Sequence, residues 1–147
     1  GFDLGITSAG QAGNNIFSVL RRPDLTMSNY GAWVLDRWHG EGTSNSIPRV
    51  AHNDTNLNWT RPSDFYLRDG DFWRIRNITL GYTVNIPEKY YLRKVRVFAS
   101  VDNAFTFTKY DGYDPEVGNG GSILGSGIDR GVYPRPRTVS VGLNLTF

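Results

Sequence analysis

The clearest pattern along the chain lies at 137–147. Every odd position from Val139 to Phe147 is apolar, and every even position from Thr138 to Thr146 is polar or glycine. A period of two predicts a strand with one dry face. Lys94–Phe107 repeats it, with Val95, Val97, Ala99 and Val101 on one face. Arg96, Ser100 and Asp102 fall on the other face, with Phe98 among them. Trp73–Ile86 is a third strand. Ile78, Leu80, Tyr82, Val84 and Ile86 alternate with Thr79, Gly81, Thr83 and Asn85. Its phase changes upstream, where Trp73 and Ile75 are the apolar positions. A bulge near Arg76-Asn77, or emergence from a membrane there, accounts for such a change. A fourth strand opens the chain, with Phe2, Leu4 and Ile6 set against Asp3, Gly5 and Thr7. The pattern thus predicts four antiparallel strands near 1–12, 72–86, 93–107 and 137–147.

The connections alternate in length. Pro87–Arg93 is a short turn, whereas Thr108–Pro136 and the stretch from about Asn14 to Asp71 are long. The long stretch holds one helix candidate, Ser28–Trp38, with Trp33, Val34, Arg37 and Trp38 at helical spacing and Ser28 as N-cap. Long structureless loops are unusual in a compact domain. They are ordinary in membrane barrels, which have short turns on one side and long extracellular loops on the other. A strand of eleven residues tilted about 45° also covers about 25 Å, the height of a barrel's apolar band.

Composition agrees with β-structure. The 147 residues include 20 aromatics, 17 glycines and 7 prolines, but only three glutamates. Zero cysteines exclude disulfides, thiolate metal sites and cysteine nucleophiles. No apolar run is long enough for a transmembrane helix. Polar and apolar positions that alternate cancel in any average, so mean hydropathy does not exclude a transmembrane barrel. A net charge of +2 is too small to suggest nucleic acid. The basic residues are mostly arginine, 13 against 3 lysines, and arginine favours fixed planar partners such as carboxylate and phosphate. The first residues read as mid-strand, with no start methionine and no signal peptide, so a piece of a longer protein is expected.

Several segments resemble the SusC-like (SusC/RagA) TonB-dependent outer-membrane transporters. Asp71-Phe72-Trp73-Arg74-Ile75-Arg76-Asn77-Ile78-Thr79-Leu80-Gly81-Tyr82 is similar to that family's "SYLRLKNLTLGY". Ser100–Tyr110 resembles "SGQNLLTFTKY", and Asp111-Gly112-Tyr113-Asp114-Pro115-Glu116 resembles "KGYDPE". Tyr133-Pro134 and Arg137–Phe147 resemble the family's "YP…RTFSVGLNLTF" end. Order and spacing match over about Asp64–Phe147, and more loosely from Phe2.

The resemblance implies an all-β chain, the C-terminal strands (about four, antiparallel) of a large transmembrane β-barrel of about 22 strands. Residues 1–147 are then a C-terminal fragment of the barrel domain, with the plug domain absent. It implies import of glycans or peptides across the outer membrane, no enzyme activity and no cofactor. The implied partners are outer-membrane lipid, the remaining strands of the parent transporter, a SusD-like surface lipoprotein, the barrel assembly machinery, and TonB through the missing N-terminal region. Loops 13–71 and 108–136 are expected outside, and the Pro87–Arg93 turn and Phe147 on the periplasmic side.

Ser140, Gly142, Leu145 and Phe147 fit the outer-membrane assembly signal, read by strand addition. The competing reading of that segment is a core strand of a β-sandwich. Lys109, Tyr110, Asp111, Gly112, Tyr113, Asp114, Pro115 and Glu116 form the family's motif loop. Asp111, Asp114 and Glu116 could gather around a cation, but their spacing is not that of an EF-hand, and Asp beside Gly and Pro is ordinary turn chemistry. His39 and His52 lack a visible partner for catalysis or metal binding. The glycines of 118–127 lack the context of a phosphate loop. Trp33, Trp38, Trp59, Tyr66, Trp73, Tyr110 and Tyr113 are expected as membrane girdle or loop packing, with stacking on sugar rings the lesser alternative. A soluble carbohydrate-binding β-sandwich is the alternative for the whole chain.

Overall fold

The computed structural model describes residues 1–20, 29–87, 91–118 and 125–147. Among them seven strands follow in chain order: β1 (Phe2–Gln11), β2 (Asn15–Ser18), β3 (Leu67–Asp69), β4 (Phe72–Asn85), β5 (Lys94–Thr108), β6 (Ile128–Asp129) and β7 (Thr138–Thr146). The chain divides into two compact units.

The first unit comprises Gly1–Asn14, Gly70–Tyr110 and Tyr133–Phe147. It is a four-stranded sheet in the order β1-β4-β5-β7, antiparallel throughout. The four expected strands therefore appear, each within two residues of its expected bounds. Gln11, Phe72 and Thr108 share one end of the sheet, and Asn85, Lys94 and Thr146 share the other. Both long connections leave from the first end. The short connection after Asn85 and the terminal Phe147 lie at the second, where Ile86 and Arg93 are joined by a backbone bond of 2.9 Å. Gly120, expected at the first end, lies outside the described residues.

The phase change in β4 is a bulge. Relative to β1, Arg76 is an extra residue, since Thr7 pairs with Asn77 and Ser8 with Ile75. Relative to β4, the extra residue is in β5, where Asn103 adopts a left-handed φ of 51°. Ser8 continues the face of Leu4 and Ile6 without interruption and pairs with Ile75. Ile75 and Trp73 thus stay on the face of Ile78 and Leu80, despite their opposite parity.

The second unit comprises Asn15–Asp69 and Asp111–Val132. A small sheet, β3-β2-β6, pairs Phe17 with both Leu67 and Ile128. Its core is aromatic. Trp59 packs 5.4 Å from Phe65 and 5.8 Å from Trp33, and Tyr66 lies 5.4 Å from Phe17 (centroid distances). The polar atoms of these rings find backbone partners. Trp59 Nε1 donates to the Arg49 carbonyl at 2.9 Å, and Tyr66 Oη to the Trp59 carbonyl at 2.6 Å. Asp129 is buried, and accepts hydrogen bonds from the Gly131 and Val132 amides.

The helix expected over Ser28–Trp38 is not formed as such. Ser28 lies outside the described residues, and only Ala32–Asp36 turns, as a 3-10 helix without a side-chain cap. Its bonds run three residues back, from Val34 to Gly31 and from Arg37 to Val34. Five residues are too few to repay the cost of an α-helical nucleus. Trp33 is held by its ring partners rather than by helical spacing.

Candidate functional site: two opposed sheet faces and a polar cleft

Cross-strand register sorts the first unit's side chains into rows. On one face the rows are Phe2–Tyr82–Val97–Leu143, Leu4–Leu80–Ala99–Val141, Ile6–Ile78–Val101–Val139 and Val84–Val95–Leu145. Every member is apolar apart from the Tyr82 hydroxyl. Most are exposed, from 44% at Tyr82 to 79% at Phe2. A sandwich core strand would have this face under a second sheet. Here the sequence has placed its apolar side chains where they meet solvent or lipid.

The opposite face is polar. Its rows are Thr7–Asn77–Asp102–Thr138, Gly5–Thr79–Ser100–Ser140, Asp3–Gly81–Phe98–Gly142 and Thr83–Arg96–Asn144. Asn77 Nδ2 donates to Asp102 at 2.7 Å, and the Thr79 hydroxyl donates to Asn77 at 2.8 Å. Two glycines shape the third row. A Cβ at Gly81 would stand 2.5 Å from both Arg96 and Asp3, and one at Gly142 would stand 2.3 Å from the Phe98 ring. Arg96 therefore crosses over β4 to reach Asp3, with its guanidinium 5.2 Å above the Phe98 ring.

Beyond the bulge, the apolar face ends in aromatics. Trp73 stacks on Phe107 at 5.4 Å, and Phe107 on Phe105 at 6.4 Å. On the polar face at this level, Arg74 is buried and donates from Nε to Thr106 at 2.9 Å.

The residues singled out from sequence are scattered over these features. Ser140 and Gly142 lie on the polar face of β7, Leu145 on the apolar face, and Phe147 just beyond the strand end. In the motif loop, Lys109 is exposed and Tyr110 buried. Asp111 lies 3.5 Å from Arg68, and Gly112 is half-buried. Tyr113 projects into solvent, while Asp114 and Pro115 are buried. Asp114 accepts a bond from the Glu116 amide at 2.9 Å, which is turn chemistry. Among the described residues no group of three or more His, Asp or Glu could hold a metal ion. His39 Nδ1 faces the Arg37 carbonyl at 3.0 Å. The aromatics expected as girdle or packing divide by place. Trp33, Trp59 and Tyr66 build the second unit's core, Trp73 stands at the rim of the apolar face, and Trp38 lines a cleft.

That cleft was not foreseen. It belongs to the second unit, has a volume of about 470 Å³, and is lined by Trp38, Asn45, Ile47, Arg49, Asn56 and Asn58 among others. Its floor is set by local turns, with Ser44 Oγ accepting from the Ile47 amide at 3.2 Å and the Trp38 amide donating to the Ile47 carbonyl at 2.9 Å. The three carboxamides and the Arg49 guanidinium make no side-chain hydrogen bond among the described residues. The sequence signal is the density of asparagine between 45 and 58.

An antiparallel sheet with one lipophilic and one hydrated face, short connections at one end and long ones at the other, is a set of strands from a transmembrane β-barrel. No family profile matches the chain. Curated relatives do. The TonB-dependent receptor SusC of Bacteroides thetaiotaomicron is 33% identical over 98% of this chain. A TonB-dependent receptor of Formosa agariphila is 31% identical over 99%, and a second from the same organism is 34% identical over 80%. Among solved structures, the RagAB peptide importer in its closed-closed state superposes on the whole chain with a TM-score of 0.73 at 21% identity. The chain belongs with the SusC-like TonB-dependent receptors and has the fold of strands from their barrel. It spans about 15% of the length of the SusC relative and 16% of the RagAB chain.

Proposed function

We propose that this chain is the C-terminal part, residues 1–147, of the barrel domain of an outer-membrane TonB-dependent importer. In this reading it contributes the last barrel strands, the extracellular connections and the assembly signal Ser140, Gly142, Leu145 and Phe147, while the plug lies elsewhere in the parent protein. The observation that carries the reading is the division of the sheet into an apolar and a polar face by register. Four strands cannot close a ring, and unpaired backbone groups within a bilayer cost several kcal/mol each. The free edges of β1 and β7 therefore pair with other barrel strands. The relatives' names support energy coupling to TonB, while a SusD-like lipoprotein partner, handling by the barrel assembly machinery and the absence of enzyme activity rest on the resemblance.

The cargo is a glycan or a peptide. The cleft favours the glycan, because free carboxamides beside an exposed indole supply paired donors and acceptors and an apolar surface for hydroxylated rings. The likeness to a peptide importer favours the other. Uptake by cells carrying the whole receptor, measured with fluorescent neutral oligosaccharides and fluorescent peptides in parallel, separates the two. Glycan uptake lost in the Trp38→Ala and Asn56→Ala variants supports the first, and peptide uptake indifferent to both supports the second.

A further inference from the structure

We propose that Arg137 holds the phosphate of a lipid headgroup at the rim of the apolar face; the proposal rests on reading that face as the lipid-facing one. The guanidinium lies 5.5 Å over the Phe105 ring. Phe105 pairs with Ile75, so its ring stands on the apolar face, in line with Phe107 and Trp73. These three rings lie past the bulge from Ile78 and Val101, where the apolar rows end. The Trp73 indole, apolar in body and polar at its N–H, marks that level as the headgroup region.

The chain is built to deliver the arginine there. Asn103, the left-handed bulge residue, donates from Nδ2 to the Pro136 carbonyl at 2.9 Å. That bond fixes the backbone one residue before Arg137, and proline restricts it further. The ring lies against the guanidinium as a cation–π partner, and Arg137 makes no hydrogen bond among the described residues, so its N–H groups are open. Among the described residues no carboxylate lies within ion-pair distance of Arg137. A fixed planar cation with open N–H edges matches the paired oxygens of a phosphate. A lipid is favoured over free phosphate because the cation sits on the aromatic rim of the membrane face itself. A free anion would gain nothing from the apolar face beside it.

The test uses the whole receptor in detergent, with binding read by native mass spectrometry. The probes are bis-phosphorylated lipid A, the same lipid stripped of phosphate, and inorganic phosphate. Arg137→Gln should weaken the phosphorylated lipid about fivefold, the worth of one basic group at an anionic surface. It should leave the stripped lipid unchanged. Phe105→Leu should produce a smaller loss in the same direction. Equal binding of phosphorylated lipid by wild type and Arg137→Gln would overturn the proposal. So would an equal loss of both lipids, or inorganic phosphate competing at Arg137 as well as the lipid does.

Discussion

Arg96 on β5 hydrogen-bonds Asp3 on β1, two strands away, because the residue between them on β4 is Gly81. Arg96 Nε lies 3.2 Å from Asp3 Oδ1, and Nη2 bonds the other oxygen. A side chain at 81 would occupy the path of the guanidinium. The same row places Phe98 over Gly142, so alternate strands give up their side chains to let the others lie flat across the sheet.

Gly81→Val is expected to lower the thermal stability of the folded receptor by displacing Arg96. In Arg96→Ala the same substitution should cost less, since the path is then empty. A double-mutant cycle on unfolding reads this coupling. Additive losses would mean that Gly81 is needed for something other than the crossing.

Gly142 has two separable reasons to be glycine. It accommodates the Phe98 ring, and it belongs to the assembly signal proposed above. Gly142→Ala should overpack that contact by about 1–3 kcal/mol. Adding Phe98→Ala should restore stability measured by unfolding in detergent. If membrane insertion in cells stays impaired in the double variant, the assembly machinery reads Gly142 directly. If insertion recovers with stability, its role is packing.

Trp59 anchors the second unit through its ring neighbours and its bond to the Arg49 carbonyl. Trp59→Ala should cost the unit about 3–5 kcal/mol. Limited proteolysis of the whole receptor should then cut within residues 29–69 well before the sheet. Wild-type resistance in that variant would mean the aromatic core is not what orders this unit.

The sheet was legible because each strand meets two different environments. That condition writes period two into the sequence, and β7 shows it without interruption from Val139 to Phe147. The bulge was legible in β4 as a phase change at Arg76. Its β5 half was not, because Ala104 and Phe105 resume an ordinary parity after Asn103. The small sheet was invisible for another reason. Asn15–Ser18 is four residues long and pairs with Leu67 and Ile128, far away in sequence, so no local period marks it. The cleft residues are likewise brought together only by the turns around Ser44 and Asp54. The Asp3–Arg96 pair leaves no local signal, because Gly81 lies between Leu80 and Tyr82 and the charged residues that meet over it come from β1 and β5.

Charge tolerance should differ sharply between adjacent faces of β7. Leu143→Arg, on the apolar face, should cost about 2–4 kcal/mol for folding into a bilayer. Ser140→Arg, on the polar face, should cost much less. Equal costs would remove the distinction between the faces.

Spin labels read that distinction most directly. This chain has no cysteine of its own, so single labels at 140, 141, 143 and 144 can be compared in the whole receptor, freed of any other cysteine, in bilayers. Labels at 141 and 143 should be relaxed by dissolved oxygen, which concentrates in lipid, and shielded from a water-soluble nickel chelate. Labels at 140 and 144 should show the reverse. A profile without this alternation, or with its sign inverted, would contradict the assignment of the apolar face to lipid.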